Sequence, residues 1–127
     1  MPARVGMLVA ALIAVALALF ALDSPPKRVH FKPGTSSIVL KNSVVRGERD
    51  RYLVGAGAGQ TMAVRITSTE RNAVFSVARP DGKFLPGATD ETDTMNWRGR
   101  LPSTGDYLIE VGGTRGNATY ALTVTIR

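Results

Sequence analysis

From residue 29 onward apolar side chains recur at every second position, the period of an extended strand with one face in a core and the other in water. The last segment is the clearest, with Tyr120, Leu122, Val124 and Ile126 on one side and Thr119, Ala121, Thr123, Thr125 and Arg127 on the other. Thr61 to Ser68 repeats the pattern, directing Met62, Val64 and Ile66 inward. Tyr107, Ile109 and Val111 alternate with Leu108 and Glu110, while Phe75 and Val77 set the core parity of Ala73 to Arg79. Weaker strands are predicted over Ser37 to Val45, Arg51 to Ala56 and Thr94 to Leu101, the last with Met95 and Trp97 on its inner side. Residues suited to turns separate these runs: Gly57, Gly59 and Gln60; Pro80, Asp81 and Gly82; Gly112, Gly113, Gly116 and Asn117. Roughly seven or eight short strands without a convincing helix among them predict an all-β fold, an antiparallel, jelly-roll-like β-sandwich.

The N-terminus follows another rule. Arg4 precedes an unbroken apolar run from Val5 to Leu22, 18 residues long, which has the order of an export signal. That length also sits at the lower edge of what spans a bilayer, so the segment reads either as a cleaved signal, the favoured case, or as an anchor helix in the inner membrane. Residues 1–26 are therefore assigned to a signal or anchor plus a polar joint, and residues 27–127 to one sandwich domain in the periplasm or secreted. Asp23 through Arg28, with Pro25 and Pro26, make that joint.

Composition removes most catalytic chemistry. The chain of 127 residues has no cysteine and one histidine, His30, which leaves no thiol nucleophile or zinc finger and little basis for an imidazole-dependent site. Lys and Arg number 16 against 10 Asp and Glu, a net charge of +6 that suits an acidic partner surface. Nucleic acid fits the charge but not an export signal, and the arginines are scattered along the sequence rather than striped. Asp90, Glu91 and Asp93 are oxygen ligands in a loop, yet their spacing matches no calcium loop, and a hydrated loop without metal is expected. Tyr52, Phe75, Trp97, Tyr107 and Tyr120 all fall on the apolar parity of their strands and are expected in the core. An outward Trp97 would instead mark a wall-glycan or carbohydrate-binding module. A small hydrolase would need two carboxylates facing across a cleft.

The most distinctive segment runs Leu101, Pro102, Ser103, Thr104, Gly105, Asp106, Tyr107, and is followed across the next strand by Gly112, Gly113, Thr114, Arg115 and Gly116. Pro102 and Gly105 force a tight bend that presents Ser103 and Thr104 at one end of the sandwich. Arg115 would lie about 20 Å away at ~3.3 Å per residue if the strand runs straight. Tyr107 reads equally as a contact residue or as a corner tyrosine tying down the bend.

Phe31 through Ser37, then Gly47 and Tyr52, then Ala58, Gly59 and Gln60, and finally Leu101 through Tyr107 resemble the bacterial periplasmic inhibitors of g-type (goose-type) lysozyme. More broadly, the body resembles the pre-peptidase C-terminal-type β-sandwich domains. The resemblance implies a Ser-Gly-x-Tyr-like loop that reaches into the lysozyme cleft, matched here by Thr104, Gly105, Asp106 and Tyr107, with threonine in place of serine. It also implies an arginine after the next strand, matched by Arg115. The expected protein is a non-catalytic, cofactor-free binder whose contact residues are Ser103, Thr104, Tyr107 and Arg115. Its expected partner is a g-type lysozyme or, in the alternative, a cell-wall glycan, with membrane contact only through an uncleaved N-terminal segment.

Overall fold

A computed structural model describes residues 25–127, and the predicted leader at residues 1–22 lies outside them. The described chain forms eight strands: β1 (Lys27–Arg28), β2 (Ser37–Val44), β3 (Arg49–Ala56), β4 (Thr61–Ser68), β5 (Ala73–Ala78), β6 (Asn96–Arg100), β7 (Gly105–Gly113) and β8 (Ala118–Ile126). They build two four-stranded sheets, the first ordered β1-β3-β7-β5 and the second β2-β8-β4-β6. All pairings are antiparallel except β1 with β3.

The two-residue period decides which side chains meet between the sheets. Val54, Phe75, Val77, Tyr107, Ile109 and Val111 come from the first, and Val44, Met62, Val64, Ile66, Tyr120, Leu122 and Val124 from the second, all buried. Each aliphatic or Phe side chain so placed contributes about 1.5–3 kcal/mol relative to exposure. A polar chain also crosses this core. The Tyr120 hydroxyl donates to Asp50 Oδ2 at 2.5 Å, so the Tyr52 hydroxyl, 2.6 Å away, must donate to Tyr120. Burial above all, and then these bonds, push the Tyr120 hydroxyl well above the usual phenol range and keep it protonated.

Two elements depart from the sequence pattern. Lys27 and Arg28, read as part of the joint, form a short parallel strand opposite Tyr52 and Leu53. The strand expected from Thr94 begins at Asn96, because the preceding residues change sheets: Thr94 O accepts from Phe75 N of the first sheet, and Met95 O from Ile66 N of the second. Trp97 stands opposite Val64 on the core side of β6, with its ring over Gly99 and its indole N–H donating to Pro86 O at 2.9 Å. The ring is half-buried and packs against the core rather than standing outward.

Candidate functional site

The Ser103–Thr104 bend sits at the end of the sandwich where β6 leads into β7. Tyr107, fully buried, reaches up from the core; its hydroxyl donates to Ser103 O at 2.7 Å and accepts from Ser103 N at 3.2 Å. It is a corner tyrosine that satisfies both backbone groups of Ser103 and has no exposed surface of its own. Gly105 is required here: its φ is +150°, and a Cβ would meet Pro80 Cγ at 2.8 Å.

A second loop, between β3 and β4, is sewn onto this bend. Gly59 N donates to Leu101 O and Leu101 N to Gln60 O, both at 2.8 Å. Thr104 Oγ1 accepts from Ala58 N at 2.9 Å, joining residues 46 apart in the chain. The result is a tip made of Ala58, Gly59, Pro102 and Thr104, all exposed, with Ser103 half-buried behind them. Bonds between the two loops fix that shape in advance, so little ordering entropy would be lost on contact. Arg100 stands beside the tip, its Nη2 3.6 Å from where a Cβ on Gly59 would lie. The Gly57–Gln60 turn was legible as a turn, but nothing in the sequence placed it, or Arg100, against Thr104.

On the same side, Arg28 grips Asp106 with two bonds of 2.9 and 2.6 Å. The Arg28 hydrogen bonds hold the Asp106 carboxyl below the usual carboxylate range. Both groups are exposed, so the pair adds little to stability.

Arg115 is elsewhere. β7 runs unbroken for nine residues from Gly105 to Gly113, which separates its ends by roughly 26 Å at 3.3 Å per residue. At the far end the Arg115 Nη2 donates to Glu70 O at 2.7 Å, Thr114 N donates to Asn72 O at 2.8 Å, and the buried Asn72 side chain donates to Asn117 O at 3.0 Å. Of the four residues expected at one site, Ser103, Thr104 and Tyr107 come together and Arg115 does not.

From their loop, Asp90 and Asp93 share a groove of about 340 Å³ on the outer face of the first sheet with Glu48, Arg49 and Glu110. Glu110 faces Arg51 Nε at 3.9 Å. The loop itself is closed by hydroxyls: Thr92 Oγ1 and Thr94 Oγ1 lie 2.6 Å apart, and Thr94 donates to Gly87 O at 2.7 Å. Among the described residues no three His, Cys, Asp or Glu side chains are placed to share a metal ion.

Solved structures share this architecture. Aeromonas hydrophila PliG, a periplasmic lysozyme inhibitor of g-type lysozyme, superposes with a TM-score of 0.68 and 33% identity, covering 83% of this chain and 98% of that one. A mutant of the Escherichia coli PliG, also a periplasmic inhibitor of g-type lysozyme, gives 0.64 and 21% over 81% of this chain and 100% of that one. The pre-peptidase C-terminal domain of a Bacillus anthracis collagenase gives 0.61 at 14% identity, over 81% of this chain and 99% of that one, a likeness of fold alone. No protein-family model matches the chain, and no match is found among curated proteins.

Proposed function

We propose, from the premise that this chain belongs to the PliG family of periplasmic inhibitors of g-type lysozyme, that it inhibits such a lysozyme by placing the Ala58–Gly59 and Ser103–Thr104 tip in the enzyme's cleft. Thr104 and Ser103 supply the polar contacts, Tyr107 holds them in place from the core, and substrate is excluded by occlusion. The reading places Arg115 outside that contact, because one entry into a cleft does not reach both ends of a nine-residue strand. The observation that carries the reading is the 33% identity along nearly the whole of the Aeromonas inhibitor. A tip fastened by backbone bonds between two loops supports it. Residues 1–26 act as the export signal or anchor that delivers the domain, residues 27–127, to the periplasm.

Lysis of bacteria by g-type and hen-type lysozymes, with and without the purified protein, tests this. Protection from the g-type enzyme is expected, weakened on the order of tenfold by Thr104→Ala, equivalent to one lost hydrogen bond of about 1.4 kcal/mol. Arg115→Ala should leave protection intact. No protection at any molar excess ends the inhibitor reading, and loss with Arg115→Ala alone moves the contact to the opposite end.

A further inference from the structure

The net charge of +6 is not spread over the molecule. Setting aside Arg4 and Asp23, which lie outside the described residues, the 16 cations and 10 acids of the chain become fifteen and nine. The outer face of the second sheet is set by strand parity: Ser37, Val39, Lys41 and Ser43 on β2; Thr119, Ala121, Thr123 and Thr125 on β8; Thr61, Ala63, Arg65 and Thr67 on β4; Asn96, Arg98 and Arg100 on β6. The register lays these side chains in rows across the strands, such as Ser37, Thr125, Ala63, Arg98 and Val39, Thr123, Arg65, Asn96. Lys41, Arg65, Arg98, Arg100 and Arg127, which follows β8, give the face five cations and no Asp or Glu side chain. Every described acid is elsewhere: inward or in turns, in the connection from β5 to β6, or on the outer side of β7. The rest of the described molecule carries ten cations against nine acids and is nearly neutral, so this one face holds almost all the excess charge. None of its five cations takes part in a salt bridge among the described residues.

We propose that this face is a docking surface for a linear glycan bearing carboxylates, laid along β4. Three features select that occupant. The first is charge: unpaired guanidinium groups form two-pronged bonds with planar carboxylates, and a sheet face whose N–H groups are spent on ladder bonds offers no nest for a tetrahedral phosphate. The second is the hydroxyl lining. The hydroxyls of Thr61, Thr67 and Thr123 have no side-chain hydrogen bond among the described residues and can meet sugar hydroxyls, whereas Ser37 and Ser43 are already paired to Thr125 and Thr119. The third is shape. Two shallow depressions, of about 230 and 370 Å³, follow one another along β4, the first lined by Thr61, Ala63, Arg98, Thr125 and Arg127 and the second, which runs over the end of β4, by Arg65, Ile66, Thr67, Ser68, Arg71, Met95 and Asn96. A folded protein partner would need apolar anchors, and among the described residues the large exposed apolar side chains on β2 and just beyond it are Val39 and Val45, with none on β8, β4 or β6. The same scarcity argues against insertion into a bilayer.

The proposal does not rest on the inhibitor reading: Arg98, opposite Ala63, and Arg65, opposite Asn96, lie one and two outward positions along the sheet from the Arg100 that stands beside the tip. Immobilised polygalacturonate is the probe, with neutral dextran and phosphatidylglycerol-containing vesicles as comparisons, all at low ionic strength. The purified protein should bind polygalacturonate, release it with added salt, and ignore dextran. The double substitution Arg65→Ser, Arg98→Ser should weaken binding about tenfold or more, because two charge-assisted contacts are lost. Arg46→Ser, Arg49→Ser removes the same charge from another region and should change binding by no more than about twofold if the face itself is the site. Far-ultraviolet circular dichroism of both variants checks that each is folded, and Arg65→Lys, Arg98→Lys, which keeps charge but loses the fork, should fall between them. Failure to bind polygalacturonate, equal weakening in the two serine variants, or stronger binding to vesicles would each overturn the proposal. Loss of lysozyme protection in the Arg65→Ser, Arg98→Ser protein would also overturn it, by showing one shared surface rather than two.

Discussion

At the Thr104 end of the sandwich a phenol rises from the core to hold a loop, whereas at the Arg115 end a buried amide and two glycines hold a turn. Tyr107 reaches Ser103 with its hydroxyl, which leaves the next residue, Thr104, exposed and braced only by a backbone donor from the facing loop. At the other end, Asn72 bonds Asn117, and Gly113 passes so close to the Gly116 carbonyl that a side chain has no room. Arg115 turns back onto the Glu70 carbonyl there. Both ends are ordered, but they spend their polar groups differently. The first keeps a hydroxyl and bare backbone at its surface, and the second directs its arginine into its own structure. That contrast is why the contact is assigned to the first end.

Substitutions can break each end by its own mechanism. The largest effect is expected from Gly113→Ala, whose Cβ would strike the Gly116 carbonyl. Backbone must move to admit it, and thermal unfolding should show a loss of about 3 kcal/mol. Tyr107→Phe should lose less, about 2 kcal/mol, because it keeps the packing and abandons only the two Ser103 backbone groups. It also sharpens the comparison, since amide exchange should accelerate at residues 103–105 while residues 113–117 stay protected. The smallest effect is electrostatic. Arg28 lowers the Asp106 carboxyl, so whatever stability the pair adds is present above the ordinary carboxylate range and is lost as pH falls through the folded value. Asp106→Asn should flatten that acid limb slightly and leave stability near neutral pH almost unchanged, because both partners are exposed.

Strand parity carried most of the fold in the sequence. Thr61 to Ser68 is β4 to the residue, and Tyr52, Phe75, Tyr107 and Tyr120 are buried on the side their alternation predicts. What the alternation could not show was pairing. β1 is two residues long and exists through its bonds to β3, so Lys27 and Arg28 carry no pattern of their own. Thr94 and Met95 alternate like a strand, yet each bonds a different sheet. The tip was legible in the same partial way. Pro102 and Gly105 announce a bend, but the bond from Ala58 to Thr104 joins loops whose meeting depends on sheet order. The separation of Arg115 was legible from strand length alone. The charge asymmetry between the two outer faces was not, because arginines that look scattered along the chain gather only once β4 and β6 are paired in register.

The central claim is that the Thr104 end makes the enzyme contact. Hydrogen exchange of the protein, alone and saturated with g-type lysozyme, tests it directly. The account predicts new protection confined to residues 57–60 and 101–105, with the Gly112–Asn117 turn and the outer face of the second sheet unchanged. Protection centred on Thr114 and Arg115, with the Ser103–Thr104 bend exchanging as in the free protein, would contradict it.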